Sequence, residues 1–260
     1  MIRLLIRKSF YDMWDNLLGL VLSNLVCNAF IAGFVFTTGI GGNLSGTGKF
    51  TLTFAGLVFF CLYTTGFSGT AHSWTSFKNG IFINFAGSLK AGFTHFLFYC
   101  AETVFLVVNA GFLIPFYYRG TGFASTLICA FLCFAEFELF LSVQYYLPLF
   151  QAMPEDGPLK TFRKSLLLVT ENFLFTVFLV IHSAFNIALS AVTLFFLPGL
   201  SSVDVLRNNA VRLLLIRYDW MEEKHVDRHH IIVSDMLASE NAAVGHRTLK
   251  DFFFPWKSLK

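Results

Sequence analysis

Five long apolar stretches constrain this chain more than any motif does. They cover residues 17–38, 52–70, 91–118, 126–150 and 166–197, and polar segments separate most of them. A helix crosses the hydrocarbon core of a bilayer with about 20 residues, each rising about 1.5 Å. All five stretches are near that length or longer. Charged residues make up only 13% of the chain, against about 25% in soluble domains, and the deficit lies in the stretches. A soluble all-α protein would instead pair its apolar faces with charged outer faces. The sequence therefore reads as all-α: a polytopic transmembrane helix bundle with five spans, or six if a less apolar helix after the fifth also crosses. Short amphipathic interfacial helices accompany the spans.

Four regions follow from this pattern. Residues 1–16 form an amphipathic lead-in, with Arg3, Arg7 and Lys8 beside Leu4, Leu5, Ile6 and Phe10. Residues 17–200 hold the bundle, 201–221 an amphipathic or sixth helix, and 222–260 a polar C-terminal tail. That tail ends in Phe252, Phe253, Phe254 and Trp256 flanked by lysines, an aromatic anchor suited to a membrane surface. The glycine-rich run 39–48 predicts a turn between the first two spans. Gly56, Gly66 and Gly69 in the second span predict close helix approach. Residues 76–90 alternate apolar and polar side chains at helical spacing, which predicts a helix lying in the interface. Pro154 and Pro158 predict the end of the fourth helix, and residues 160–165 a basic lead-in to the fifth span.

Basic residues in short loops set orientation. Arg3, Arg7 and Lys8 precede the first span, Lys78 and Lys90 follow the second, and Lys160, Arg163 and Lys164 follow the fourth. The alternate loops carry only Lys49 and Arg119. This alternation predicts a cytoplasmic N-terminus. The basic tail after the fifth span breaks it unless residues 201–218 return to the same side, and the reading leans slightly to that return.

Charged groups inside the apolar stretches are costly and call for a reason. Glu102 falls near the centre of the third stretch, Glu136 and Glu138 near the centre of the fourth, and His182 at the centre of the fifth. No Lys or Arg lies within the five stretches. Glu102, Glu136, Glu138 and His182 thus form a candidate intramembrane polar layer, responsive to protons or cations. Its competitor is a structural cluster that ties helices together through hydrogen bonds. Glu136 and Glu138 stand two residues apart and cannot share a helix face.

Other patterns carry no chemistry. Gly46, Gly48 and Lys49 suggest a phosphate loop, but Asn43 and Phe50 occupy positions that need Gly and Ser or Thr. His225, Asp227, His229, His230 and His246 match no zinc signature, so no metal and no cofactor is expected. A net charge of +3 gives no nucleic-acid footprint. No nucleophile motif is present, and the chain is not expected to be an enzyme. The five cysteines all lie within the apolar stretches and read as small packing residues.

Several segments together resemble the YesL-like family of bacterial multi-pass membrane proteins. They are the run Ser9, Phe10, Tyr11, Asp12, Met13, Trp14, Asp15 and Asn16 with Asn24 beyond it, and Ser76, Phe77 and Lys78. Also similar are the segment from Tyr145 through Pro148 to Phe150, the run opening at Phe162, Arg163 and Lys164, and the Pro198 to Ser201 boundary. The resemblance covers about residues 9–218. It implies an inner-membrane helix bundle of undefined activity, often encoded near carbohydrate uptake systems, and carries over no catalytic residue. The resulting expectation is a non-enzymatic accessory or regulatory component associated with solute uptake. Its partners would be the lipid bilayer and other membrane transport components. The alternative is a small transporter or substrate-binding membrane subunit that uses the Glu/His layer.

Overall fold

The computed structural model describes residues 1–35, 45–225 and 233–245, and every regular element among them is helical. Helix α1 (Ile2–Asp15) is amphipathic and meets α2 (Leu17–Val35) at a bend of 87°. Four helices are each long and apolar enough to cross a membrane: α3 (Gly46–Thr75), the α5–α6 unit (Phe93–Tyr118), α7 (Phe123–Ala152) and α9 (Phe173–Val192). The first predicted span qualifies only together with α1, as one bent pair. The chain is a multi-pass membrane helix bundle.

Local chemistry moves several boundaries from their expected places. Of the predicted turn at 39–48, residues 39–44 lie outside the described residues; helix begins at Gly46, because the Ser45 side chain accepts a hydrogen bond from Gly48 N at 3.2 Å and caps α3. The predicted interfacial helix at 76–90 is not continuous. Phe77, Phe82 and Asn84 take left-handed backbone angles, and Trp74 Nε1 donates to the Gly80 carbonyl at 2.9 Å. Only α4 (Phe85–Ala91) is helical, and it folds back onto α3. The third stretch carries a π-turn at Asn109–Leu113 between α5 (Phe93–Val108) and α6 (Ile114–Tyr118). The fifth stretch breaks at Asn172 into α8 (Pro158–Glu171) and α9.

Small residues do permit close approach, although the neighbour differs from the expected one. A Cβ at Gly66 would meet the Phe85 ring at 2.6 Å, and one at Gly69 would meet Ser88 Cβ at 2.5 Å. The element seated on these glycines is therefore α4, not another span. Ser88 Oγ then donates to the Thr65 carbonyl at 3.1 Å and locks the contact.

The less apolar segment after the fifth stretch is a helix, α10 (Ser201–Lys224), and it is wrapped by protein rather than lipid. It packs on α1, α2, α3, α7 and α9. Its course is antiparallel to α9: Gly199 N donates to Ser190 Oγ at 2.8 Å at one end, and Asn172 Nδ2 donates to Tyr218 Oη at 2.8 Å at the other. Between these two contacts, Arg212 of α10 meets Ser76, just past α3, and Glu240 of α12 (Ala238–Val244). α1 contacts α12 as well. The second half of α10, together with α12, thus lies at the end of the bundle that carries α1. The histidine-containing linker beyond His225 and the aromatic anchor at 252–256 lie outside the described residues.

Candidate functional site

The four sequence-predicted residues make separate contacts among the described residues. Glu102 is buried on α5 and accepts from Ser142 Oγ of α7 at 3.2 Å, while its second oxygen has no hydrogen-bond partner among the described residues. Glu136 of α7 accepts from Asn109 Nδ2 at 2.9 Å, at the first residue of the π-turn. Ser142 and Glu136 are six residues apart on one helix, so these two contacts sit on separate rungs about 9 Å apart along the seam. Glu138 has no hydrogen-bond or ion-pair partner among the described residues. His182 stacks with Phe178 and Phe185 on α9, at ring centroids 5.7 and 6.3 Å away. Among the described residues, no hydrogen bond or ion pair joins any two of Glu102, Glu136, Glu138 and His182.

Polar groups are instead concentrated along α10 and the elements around it. Lys8 is fully buried; its Nζ donates to Asp12 at 3.1 Å and to the Thr75 carbonyl at 2.9 Å, and sits 4.0 Å from the centre of the Phe77 ring. Asp12 accepts a further bond from Asn209 Nδ2 of α10 at 2.8 Å. One ion pair therefore ties α1, α3 and α10. The amphipathic pattern of α1 predicts its apolar contacts, but not that its one lysine would turn inward.

A second node holds the turn between α9 and α10. Asn24 of α2 donates to the Phe196 and Pro198 carbonyls at 3.0 and 2.9 Å, and its oxygen accepts from Ser201 N at 3.0 Å. Gly199 lies against it at φ +73°, where an added Cβ would overlap the Asn24 amide at about 2 Å. Ser23 meets both Tyr63 Oη and Ser201 Oγ, and Tyr63 Oη also donates to the Ser23 carbonyl at 2.9 Å. Here a left-handed backbone angle open to glycine, close packing and a saturated amide specify one another.

The third feature is a cavity of about 140 Å³ against the first turns of α10. Tyr63 and Thr64 of α3 and Ser201, Asp204 and Arg207 of α10 line it. Asp204 and Arg207 approach each other at 3.6 Å. No hydrogen bond reaches either side chain among the described residues, and Arg207 Nε is shielded from solvent. The sequence signal for this cavity is the cluster Asp204, Arg207, Asn208, Asn209 and Arg212, which reads as a cost in lipid until α10 is placed inside the protein.

A smaller latch closes the turn after α7. His95 Nε2 lies 3.0 Å from the Asp156 carbonyl, and its ring stacks on Phe150. The Asp156 carboxylate pairs with Lys160 at 2.6 Å and with Lys164. Hydrogen bonds from Lys160 and Lys164 hold the Asp156 carboxyl below its ordinary value. No group of three or more metal-ligating side chains exists among the described residues.

Comparison with known proteins adds no relative: no family model, no curated protein and no solved structure matches the chain.

Proposed function

We propose that the protein is a non-enzymatic accessory or regulatory component of a bacterial cytoplasmic membrane, associated with solute uptake, carbohydrate in particular. The observation that carries this reading is where the polar side chains go. Lys8, Asp12, Asn24 and Asn209 bind other elements of the same chain. The lipid-facing surfaces are left apolar, with Phe131, Phe134, Phe137 and Phe140 exposed along α7. Such a body meets partners through helix–helix contacts in the bilayer rather than through covalent chemistry. The resemblance of residues 9–218 to YesL-like proteins supplies the association with carbohydrate uptake.

Charge supports a cytoplasmic N-terminus. Arg3, Arg7 and Lys8 on α1, Lys78 and Lys90 around α4, and Lys160, Arg163 and Lys164 on α8 gather at one end of the bundle, as do Arg212 and Arg217 of α10. Lys49 and Arg119 are the basic residues of the opposite end among the described residues. Basic residues accumulate on the cytoplasmic side.

Affinity purification in a mild detergent, followed by mass spectrometry, tests the proposal. Co-purification of transport-system subunits is expected, and their absence under conditions that preserve other membrane complexes counts against it. A transporter reading is favoured by one observation, the buried Glu102 with an unpartnered oxygen. Under that reading Glu102→Gln and His182→Ala abolish a pH-dependent flux. Under the accessory reading both variants leave uptake unchanged, and Glu102→Gln alters only stability in detergent.

A further inference from the structure

Glu138 is an acidic residue inside an apolar span for which the described residues supply no partner. Glu136, on the same helix, accepts from Asn109 across the α5–α7 seam at 2.9 Å. Glu138 stands two residues on, turned to the far side of α7. It is half-buried and has no hydrogen-bond or ion-pair partner among the described residues. Leu127, Phe131, Phe134 and Glu138 follow one another at steps of four, three and four, so they form one stripe along α7. The three apolar members are exposed, and so are the adjoining Phe137 and Phe140. The next turn, Leu141 and Ser142, is buried in the body of the protein. The stripe thus runs down the lipid-facing half of α7 and ends on a carboxyl group.

Glu138 lies within the apolar zone. It is fifteen residues past Phe123, the first residue of α7, which is about 22 Å along the axis in a hydrocarbon core about 30 Å thick. Exposed Phe140, Leu167 and Leu174 continue the apolar surface around it, and Phe137 packs on Phe173 of α9 with ring centroids 6.4 Å apart. A carboxylate in such surroundings is costly. A proton would cancel its charge but leave an O–H and a carbonyl without partners in hydrocarbon. A cation on an apposed helix satisfies the carboxylate and covers the phenylalanine stripe at the same time. A second copy of this chain does not offer that cation, because no Lys or Arg lies within the five apolar stretches. Of the histidines in those stretches, His95 is buried against Asp156, and His182 is stacked with Phe178 and Phe185 beside α1.

We propose that the stripe Leu127, Phe131, Phe134 and Glu138 is the docking face for a transmembrane helix of a different membrane protein. That helix sets a lysine or arginine against Glu138 and apolar side chains against the phenylalanines. The inference rests on the accessory reading and names the surface and the chemistry through which the partner is held.

A benzophenone amino acid in place of Phe131 of the full-length protein, irradiated in native membranes, reads what lies on the stripe. The expected adduct, sequenced by mass spectrometry, is a transmembrane segment of another protein that carries a lysine or arginine. Glu138→Gln, which is nearly isosteric, should lower the adduct yield about tenfold, the scale of one interhelical polar contact, and should leave the Tm of the purified protein unchanged. Glu138→Lys should abolish the adduct, and exchanging the partner's basic residue for glutamate should restore it in that variant. Adducts formed only with lipid, with a second copy of this chain or with a segment that lacks a basic residue overturn the proposal. So does a yield that neither Glu138 variant changes. If transport-system subunits still co-purify in any of those cases, the accessory reading stands and only the docking face is rejected.

Discussion

The two ends of α7 differ more sharply than any two separate helices of the molecule. From Phe123 to Phe140 its phenylalanines are exposed; from Leu141 to Phe150 nearly every side chain is buried against α5, α8 and α10. The same change occurs on α3, between exposed Phe50, Phe54, Phe59 and Phe60 and the buried residues after Leu62. One region is apolar and thinly contacted. The other is polar inside and tied by hydrogen bonds across long sequence distances. In the first, lipid is as good a neighbour as protein, so packing contributes little net stability. In the second, buried polar groups must find each other, and this fixes one arrangement of the helices.

This contrast can be broken by mutation. Lys8→Ala should have the largest effect, because it leaves Asp12 buried with its cation gone; loss of a buried pair partner costs about 3–5 kcal/mol. Thermal unfolding in detergent should show a clear fall in Tm, while Phe131→Leu in the exposed part of α7 should leave Tm nearly unchanged. Asn24→Ala removes three hydrogen bonds at the turn into α10, and should cost about 1–3 kcal/mol through the carbonyls and amide left unpaired. Its effect should appear as faster proteolysis near residues 193–200. Gly69→Val pushes against Ser88 on α4 and should cost about 1–3 kcal/mol by overpacking. Gly87→Ala on α4, where among the described residues no atom beyond the helix's own backbone lies within 4 Å of the added Cβ, serves as its neutral counterpart.

The smallest effect is a pH effect at the Asp156 latch. The folded carboxyl value is depressed by Lys160 and Lys164. Its stabilisation is therefore complete above the ordinary carboxylate value of about 4 and is lost as pH falls through the lower folded value. Wild type and Asp156→Asn should differ slightly in Tm at pH 6 and converge in strong acid, measured in an acid-tolerant detergent.

Much of the architecture was legible from hydropathy alone. The boundaries of α7 and the end imposed before Pro154 follow from apolar length and proline. The amphipathic α1 follows from the placement of Arg3, Arg7 and Lys8 beside leucines. What hydropathy left open was how α10, expected as an amphipathic or sixth helix, is seated. Its Asp204, Arg207, Asn208 and Asn209 look unfavourable when lipid is taken as the neighbour, and the partners that change that neighbour lie about 180 to 200 positions away, at Ser9, Asp12 and Ser23. The contacts of the Glu/His set could not be read from sequence for a related reason. Sequence midpoints assign depth along each helix but not the rotation of its face. His182 points among phenylalanines on α9, while Glu102 and Glu136 find separate partners along the α5–α7 seam. The break at 76–84 rests on left-handed backbone at Phe77 and Phe82, residue types that give no warning of it.

Spin-label accessibility in lipid nanodiscs tests the division of the molecule most directly. Single cysteines at Phe131, Phe137, Ser142 and Tyr146 along α7, in a background lacking the native cysteines, would carry the label. The account predicts strong relaxation by oxygen and little by a polar nickel chelate at Phe131 and Phe137, and weak relaxation by both at Ser142 and Tyr146. Strong nickel relaxation at Phe131 and Phe137, or oxygen relaxation at Tyr146 equal to theirs, would contradict it.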